Sequence, residues 1–189
     1  MIYVAYLFAV LLGLILLVVI IGAARPSGFR ITRSQLIAAS ADELFPYISN
    51  LREFQRWNPF RDKDPRCIDE FRGPASGPGA VFHWKGDANV GEGIMTILDQ
   101  VPNNKVQIDL EFLRPFPGHN AVEFSLASQD RGTVVTWSMQ GHYALVPRIV
   151  GLFINMDRMI GGDFERGLQR LKSLAETPAL KHELSKPAV

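Results

Sequence analysis

Hydrophobic positions along the chain fall into three regimes. From Met1 to Ala24 no side chain is charged, and only Gly13 and Gly22 interrupt the apolar run. A helix needs about 20 apolar residues to cross a hydrocarbon core, so residues 1–24 read as one transmembrane helix. Residues 25–28 hold Pro26, Ser27 and Gly28 and read as a linker. From Phe29 to Ala144 the period is mostly that of strands, and from Pro147 onward it is that of a helix. Residues 29–177 therefore read as one α+β domain, and residues 178–189 as a polar tail.

Inside the domain, Phe29–Ile37 predicts a first strand. Ser40 followed by Glu43 is a capping-box pattern that starts a helix over Ala41–Ser49, and a second short helix over Leu51–Trp57 stops at Asn58-Pro59. Cys67–Phe71 reads as a short strand, and Gly73–Gly79 as a loop. Strands follow at Ala80–Lys85, Glu92–Val101, Lys105–Leu113, His119–Ala127 and Thr133–Ala144. Turn signals at Pro102-Asn103-Asn104 and Asp130-Arg131-Gly132 separate them. Short sequential strands with no helix between them predict an antiparallel sheet.

After Pro147, apolar residues recur at Val150, Phe153, Met156, Ile160, Phe164, Leu168, Leu171 and Leu174. Steps of three and four predict one long amphipathic helix of about 30 residues. Pro147 sits in its first turn, where a missing N–H costs nothing. The pair Gly161-Gly162 interrupts it, and a close packing contact or a kink is the expected cause.

Charge narrows the function classes. The chain carries 20 Lys and Arg against 19 Asp and Glu, all after the apolar run, so the domain is nearly neutral and has no electrostatic footprint for nucleic acid. Cys67 is the single cysteine, which excludes an internal disulfide and a cysteine cluster for zinc. The histidines show no metal-ligand spacing, and no nucleophile elbow, phosphate loop or dinucleotide fingerprint occurs. No metal and no cofactor are expected.

No Lys or Arg precedes the apolar run and it is longer than a secretory core, so a membrane anchor fits better than a cleaved leader. Arg25, Arg30 and Arg33 follow it. The positive-inside rule then places the domain in the cytoplasm, with Tyr3 and Tyr6 near the outer interface.

Four segments carry a family resemblance. Ile37–Ile48 (IAASADELFPYI), Trp57-Asn58-Pro59-Phe60, the pair Phe82–Gly86 and Val90–Gly93, and Asp163–Leu168 with Leu171-Lys172 occur in that order. Together they resemble the SRPBCC superfamily, the START- and Bet v 1-like proteins, and within it the polyketide cyclase/dehydrase-like branch. The resemblance covers Phe29 to about Glu176. It implies a helix-grip fold, with a curved antiparallel sheet around a long C-terminal helix, and a deep pocket for apolar ligands between them. It implies no single chemistry.

Alternation assigns the pocket wall. Phe82 and Trp84, Met95 and Ile97, and Val135, Trp137 and Met139 each share a face. So do Val106, Ile108, Leu110 and Phe112. With Phe153, Met156, Ile160 and Phe164 from the helix, they are the candidate ligand-binding residues. The candidate acid–base groups are Glu92, Asp109, Arg114 and His142, with a Glu111–Arg114 ion pair at the pocket mouth. His83, His119, Glu111 and Glu123 read as outward strand residues, and Cys67 has no adjacent base.

Three functions fit this pattern. The leading one is a membrane-anchored module that binds a lipid, quinone-like or polyketide-like hydrophobe. The second is a cyclase or dehydratase, which needs an acid or base inside the pocket. The third is a membrane-associated domain that regulates a protein partner.

Overall fold

Apolar side chains at every position of Ile2–Ala24 except Gly13 and Gly22 give one uninterrupted helix, α1, whose surface stays almost wholly uncovered by the rest of the chain. The computed structural model describes residues 2–177, so the expected polar tail lies outside the described residues.

Seven strands follow: β1 (Gly28–Ile37), β2 (Ile68–Arg72), β3 (Val81–Lys85), β4 (Glu92–Val101), β5 (Lys105–Arg114), β6 (Gly118–Gln129) and β7 (Gly132–His142). They form one antiparallel sheet in the order β1-β7-β6-β5-β4-β3-β2. The connection from β1 to β2 crosses the sheet through α2 (Ala41–Ser49), α3 (Leu51–Phe54) and a 3-10 turn at Arg61–Lys63. The expected capping box is present: the Ser40 backbone N–H donates to Glu43 Oε2 at 2.9 Å, and the Ser40 hydroxyl at 3.1 Å. The second helix is shorter than expected, because the chain passes into turns after Phe54.

The expected single C-terminal helix is two helices, α4 (Leu145–Val150) and α5 (Met156–Glu176). Apolar periodicity runs through the break and hid it. The stop signal is Asn155, whose side chain caps α5 by accepting the Arg158 N–H at 2.9 Å. Asparagine outside a helix start satisfies a donor the helix itself leaves open.

Gly161-Gly162 does not interrupt α5. Arg33 of β1 lies on the Gly161 backbone, its guanidinium only 2.0 Å from where a Cβ would sit. A Cβ at Gly162 would meet only the Arg166 guanidinium, at an ordinary contact distance of 3.9 Å, and nothing in the structure explains this glycine. Arg33 itself pairs with Asp157 at 3.0 Å and Glu165 at 2.7 Å, and those hydrogen bonds raise its pKa. It locks β1 to α5 and is not a free flanking charge of the anchor.

The core has a filled end and an open end. At the end carrying the turns after β4 and β6, Ile97, Ile108, Val106 and Val135 pack with Leu44, Ile48, Leu168 and Leu171, all essentially inaccessible. At the other end, near Glu92, Arg114, Gly118 and His142, the sheet diverges from α5.

Candidate functional site

That divergence leaves a cavity of about 450 Å³ between the concave face of the sheet and α5. Of the residues expected to line it, Phe82, Trp84, Met95, Leu110, Phe112, Trp137, Met139, Met156, Ile160 and Phe164 do so. Ile97, Ile108 and Val135 share the inward face but sit in the filled core, away from the wall. Strand register explains the difference. Ile97 and Ile108 pair with each other, one row deeper than the Met95–Leu110 pair. Alternation fixes a side chain's face and says nothing of its depth.

Phe153 is a correction. It lies in the break between α4 and α5, is 75% exposed and lines nothing. Only an unbroken helix would have turned it inward.

Aromatic rings shape both ends of the cavity. Trp137 stacks on Phe164 of α5 and meets Trp57 and Phe54 edge-on. Trp84 lies over Gly93 of the neighbouring strand, where a Cβ would come within 2.3 Å of the ring. Gly93 is therefore what lets Trp84 lie flat as wall rather than project across the opening.

The acid–base candidates do not converge inside. Glu92 stands on the outer face, between His83 Nε2 at 3.0 Å and Arg114 at 2.6 Å. The hydrogen bond from His83 and the Arg114 charge lower its pKa, so it is a committed carboxylate. His83 bridges from Glu92 to Glu70 at 3.4 Å. Asp109 and Glu111 also face outward, each 3.5 Å from His119. The expected Glu111–Arg114 pair is thus replaced by Glu92–Arg114. Arg114 and His142 reach the cavity only at its exposed rim. Cys67 touches the wall, but burial followed by the Asp69 charge raises its pKa, which keeps the thiol protonated and a poor nucleophile.

Several polar wall residues escaped the sequence reading. Asp163 of α5 is 3% exposed and is held by Lys63 at 2.9 Å and by Arg166. Arg61 is paired with Asp69. Asn58, Gln55, Asn89, Asn120 and Tyr143 are polar wall residues too. A signal for Asn120 was available: it stands in an inward series, Asn120, Val122, Phe124 and Leu126, whose other members are apolar. Among the described residues no cluster of metal-ligating side chains occurs.

An unusual segment runs beside the cavity, which Ala144 and Pro147 line. Leu145–Ile154 contains one charged residue, Arg148, and Leu145, Val146, Val150, Phe153 and Ile154 are all exposed. Phe116, which lines the cavity, is exposed too. The same segment holds the end of α1. Gly22 packs on Ile149, Arg148 donates to the carbonyls of Ala23 and Arg25, and Arg25 donates to the Gly151 carbonyl at 2.7 Å.

The family described as "Polyketide cyclase / dehydrase and lipid transport" matches residues 28–176. No curated protein matches the chain. Among solved structures, protein CV1439 from Chromobacterium violaceum is similar at a TM-score of 0.58 and 14% identity, over 78% of this chain and 97% of that one. The Aha1 dimer from Colwellia psychrerythraea is similar at 0.57 and 15%, over 78% and 96%. CalU16 from Micromonospora echinospora is similar at 0.50 and 17%, over 82% and 79%. At these identities the likeness is one of fold.

Proposed function

The chain belongs to the polyketide cyclase/dehydrase and lipid-transport family, and from that premise we propose that it is a membrane-anchored binding protein for a hydrophobic small molecule or lipid. The guest occupies the cavity between the sheet and α5 and exchanges with the bilayer. One observation carries this reading: the segment that packs on the end of α1 is also the lip of the cavity. Ala144 and Pro147 line it, while Ile149 of the same helix rests on Gly22.

Exposed apolar residues on that lip support it. Soluble surfaces rarely gather so many large hydrophobic side chains in one place, and such patches mark contact with a membrane or partner. The apolar lip, with Arg25 and Arg148 beside it, has the composition of an interfacial segment. A guest leaving the hydrocarbon there passes into the cavity without crossing water. Arg25 and Arg30, just after the span, favour a single-pass topology with the domain on the cytoplasmic side.

Binding fits the wall better than catalysis. Glu92 and Asp109 face outward, and Arg114 and His142 stand at the rim. The buried carboxylate that does meet the cavity, Asp163, is already engaged by two cations.

The test is purification of the full chain from membranes in lipid nanodiscs, followed by mass spectrometry of the solvent extract. One apolar compound should be enriched over the lipid of empty discs, and Leu110→Trp, which fills the cavity, should reduce it. A chain released from membranes by alkaline carbonate overturns the anchor. An extract identical to that of empty discs overturns the binding reading.

A further inference from the structure

The cavity wall is apolar except for a few groups, and three of these have hydrogen-bonding capacity that the protein does not use. Trp137 is 3% exposed, and its indole N–H has no acceptor. The other two tryptophans differ: the N–H of Trp57 donates to the Tyr47 carbonyl at 2.9 Å, and that of Trp84 is directed at the Val90 carbonyl at 3.5 Å. The opposite edge of the Trp137 ring, at Cζ3, faces Gly167 of α5.

Gln55 is the second. The Phe60 backbone N–H donates to Asn58 Oδ1 at 3.0 Å, which fixes the orientation of that amide. Asn58 Nδ2 then donates to Gln55 Oε1 at 2.9 Å. The relay runs one way and ends on Gln55 Nε2, which is buried and has no acceptor. Asn120 is the third. It is 8% exposed and lies over Gly141 of β7, whose missing Cβ makes room for its carboxamide. The Trp137 and Gln55 nitrogens are buried donors without acceptors, which cost roughly 1–3 kcal/mol each, so such groups in a binding cavity point to a partner brought by the guest.

The charges narrow that partner further. Three cations reach the cavity, and each already pairs with a carboxylate: Arg61 with Asp69, Lys63 with Asp163, which also holds Arg166, and Arg114 with Glu92. An anionic headgroup would have to displace one of them or stay unpaired, and an unpaired buried charge is strongly unfavourable. A neutral oxygen meets only the free N–H groups.

Resting on the binding reading above, we infer that the guest is a neutral, mostly hydrocarbon or aromatic molecule with a carbonyl-type oxygen, a ketone, quinone or ester, that accepts hydrogen bonds from Trp137, Gln55 and Asn120. Free fatty acids and phosphate-bearing lipids are excluded from the cavity interior by the same charge matching.

The test uses the full chain in nanodiscs and three probes on one ring system: fluorene, 9-fluorenone and fluorene-9-carboxylate. Binding is read by indole ¹H–¹⁵N NMR, with empty discs correcting for partition. Fluorenone should bind about tenfold tighter than fluorene, the size expected for a net gain of hydrogen bonds, and should shift the Trp137 indole proton most. The carboxylate should bind weakest. Trp137→Phe, which keeps the stacked ring, and Asn120→Val, which suits the strand, should each shrink the ratio of fluorenone to fluorene affinity. Equal binding of fluorene and fluorenone to the wild type overturns this inference and leaves the hydrophobe reading standing. Tightest binding of the carboxylate overturns the neutrality. Binding of none of the probes overturns the hydrophobe reading, and this inference with it.

Discussion

Trp137 of β7 and Phe164 of α5 stack face to face, ring centroids 4.0 Å apart and planes within 5°. This contact joins sheet to helix where the filled core gives way to the cavity. Removing the Phe164 ring takes away a fully buried side chain and leaves a void. Phe164→Ala should therefore cost about 3–5 kcal/mol in urea unfolding, and Phe164→Leu clearly less. A loss below about 1 kcal/mol for alanine would mean the stack does not anchor α5.

Gly93 carries the Trp84 ring on its bare backbone. Gly93→Val should push Trp84 out of the wall and destabilise the domain by about 1–3 kcal/mol, the usual cost of overpacking. It should also lower guest occupancy. Unfolding curves and extracted ligand from the same preparations check both effects, and unchanged occupancy would separate Trp84 from the binding wall.

Glu92 gives a pH dependence whose sign follows from its depressed pKa. A carboxylate held below its unfolded value stabilises the fold above that unfolded value, and the stabilisation is lost as pH falls through the folded one. Glu92→Gln should melt lower than wild type at pH 7. The gap should shrink as pH falls below the ordinary glutamate range and close only once the wild-type carboxylate, held lower still, is also neutral. A gap that persists at low pH would assign the effect to shape and not to charge.

Asp163 keeps Lys63 occupied at the cavity wall. Asp163→Asn should release that cation toward the interior and raise affinity for a carboxylate-bearing probe several-fold, with little change for a neutral one. Isothermal titration with the matched fluorene probes reads the difference. No gain for the carboxylate would show that Lys63 does not reach the guest.

Phe153, exposed in the break between α4 and α5 beside the cavity, makes few contacts to lose. Phe153→Ser should leave unfolding within about 0.5 kcal/mol of wild type while slowing transfer of a fluorescent guest between the protein's own vesicles and acceptor vesicles. Equal transfer rates would remove this residue from the exchange path.

Much of the fold was legible because local rules and tertiary structure agree. Alternation placed Trp137 and Met139 inward, and turn signals at Pro102–Asn104 and Asp130–Gly132 set the hairpins. The apolar run was equally plain. What failed depends on position along an element. Ile97, Ile108 and Val135 face the same way as the cavity wall yet lie deeper, a distinction set by register and by where α2 and the far end of α5 close the core. Phe153 kept the helical period but fell in a break signalled only by Asn155. Arg33 read as an anchor charge because its partners Asp157 and Glu165 lie far along the chain. The ion pairs on the cavity wall were hidden for the same reason: Lys63 and Asp163 are joined by the fold alone.

The Arg148 contacts to the Ala23 and Arg25 carbonyls, with Gly22 seated on Ile149, fix how the domain sits on its tether. A domain swinging on a loose linker would sample the solution above the bilayer. On the membrane-anchored reading proposed above, these contacts hold the opening at a set angle to the bilayer, and loading becomes a search in two dimensions. Occupancy on the bilayer reading then follows the guest's mole fraction among the lipids, and two guests compete by their abundance in the membrane whatever their solubility in water.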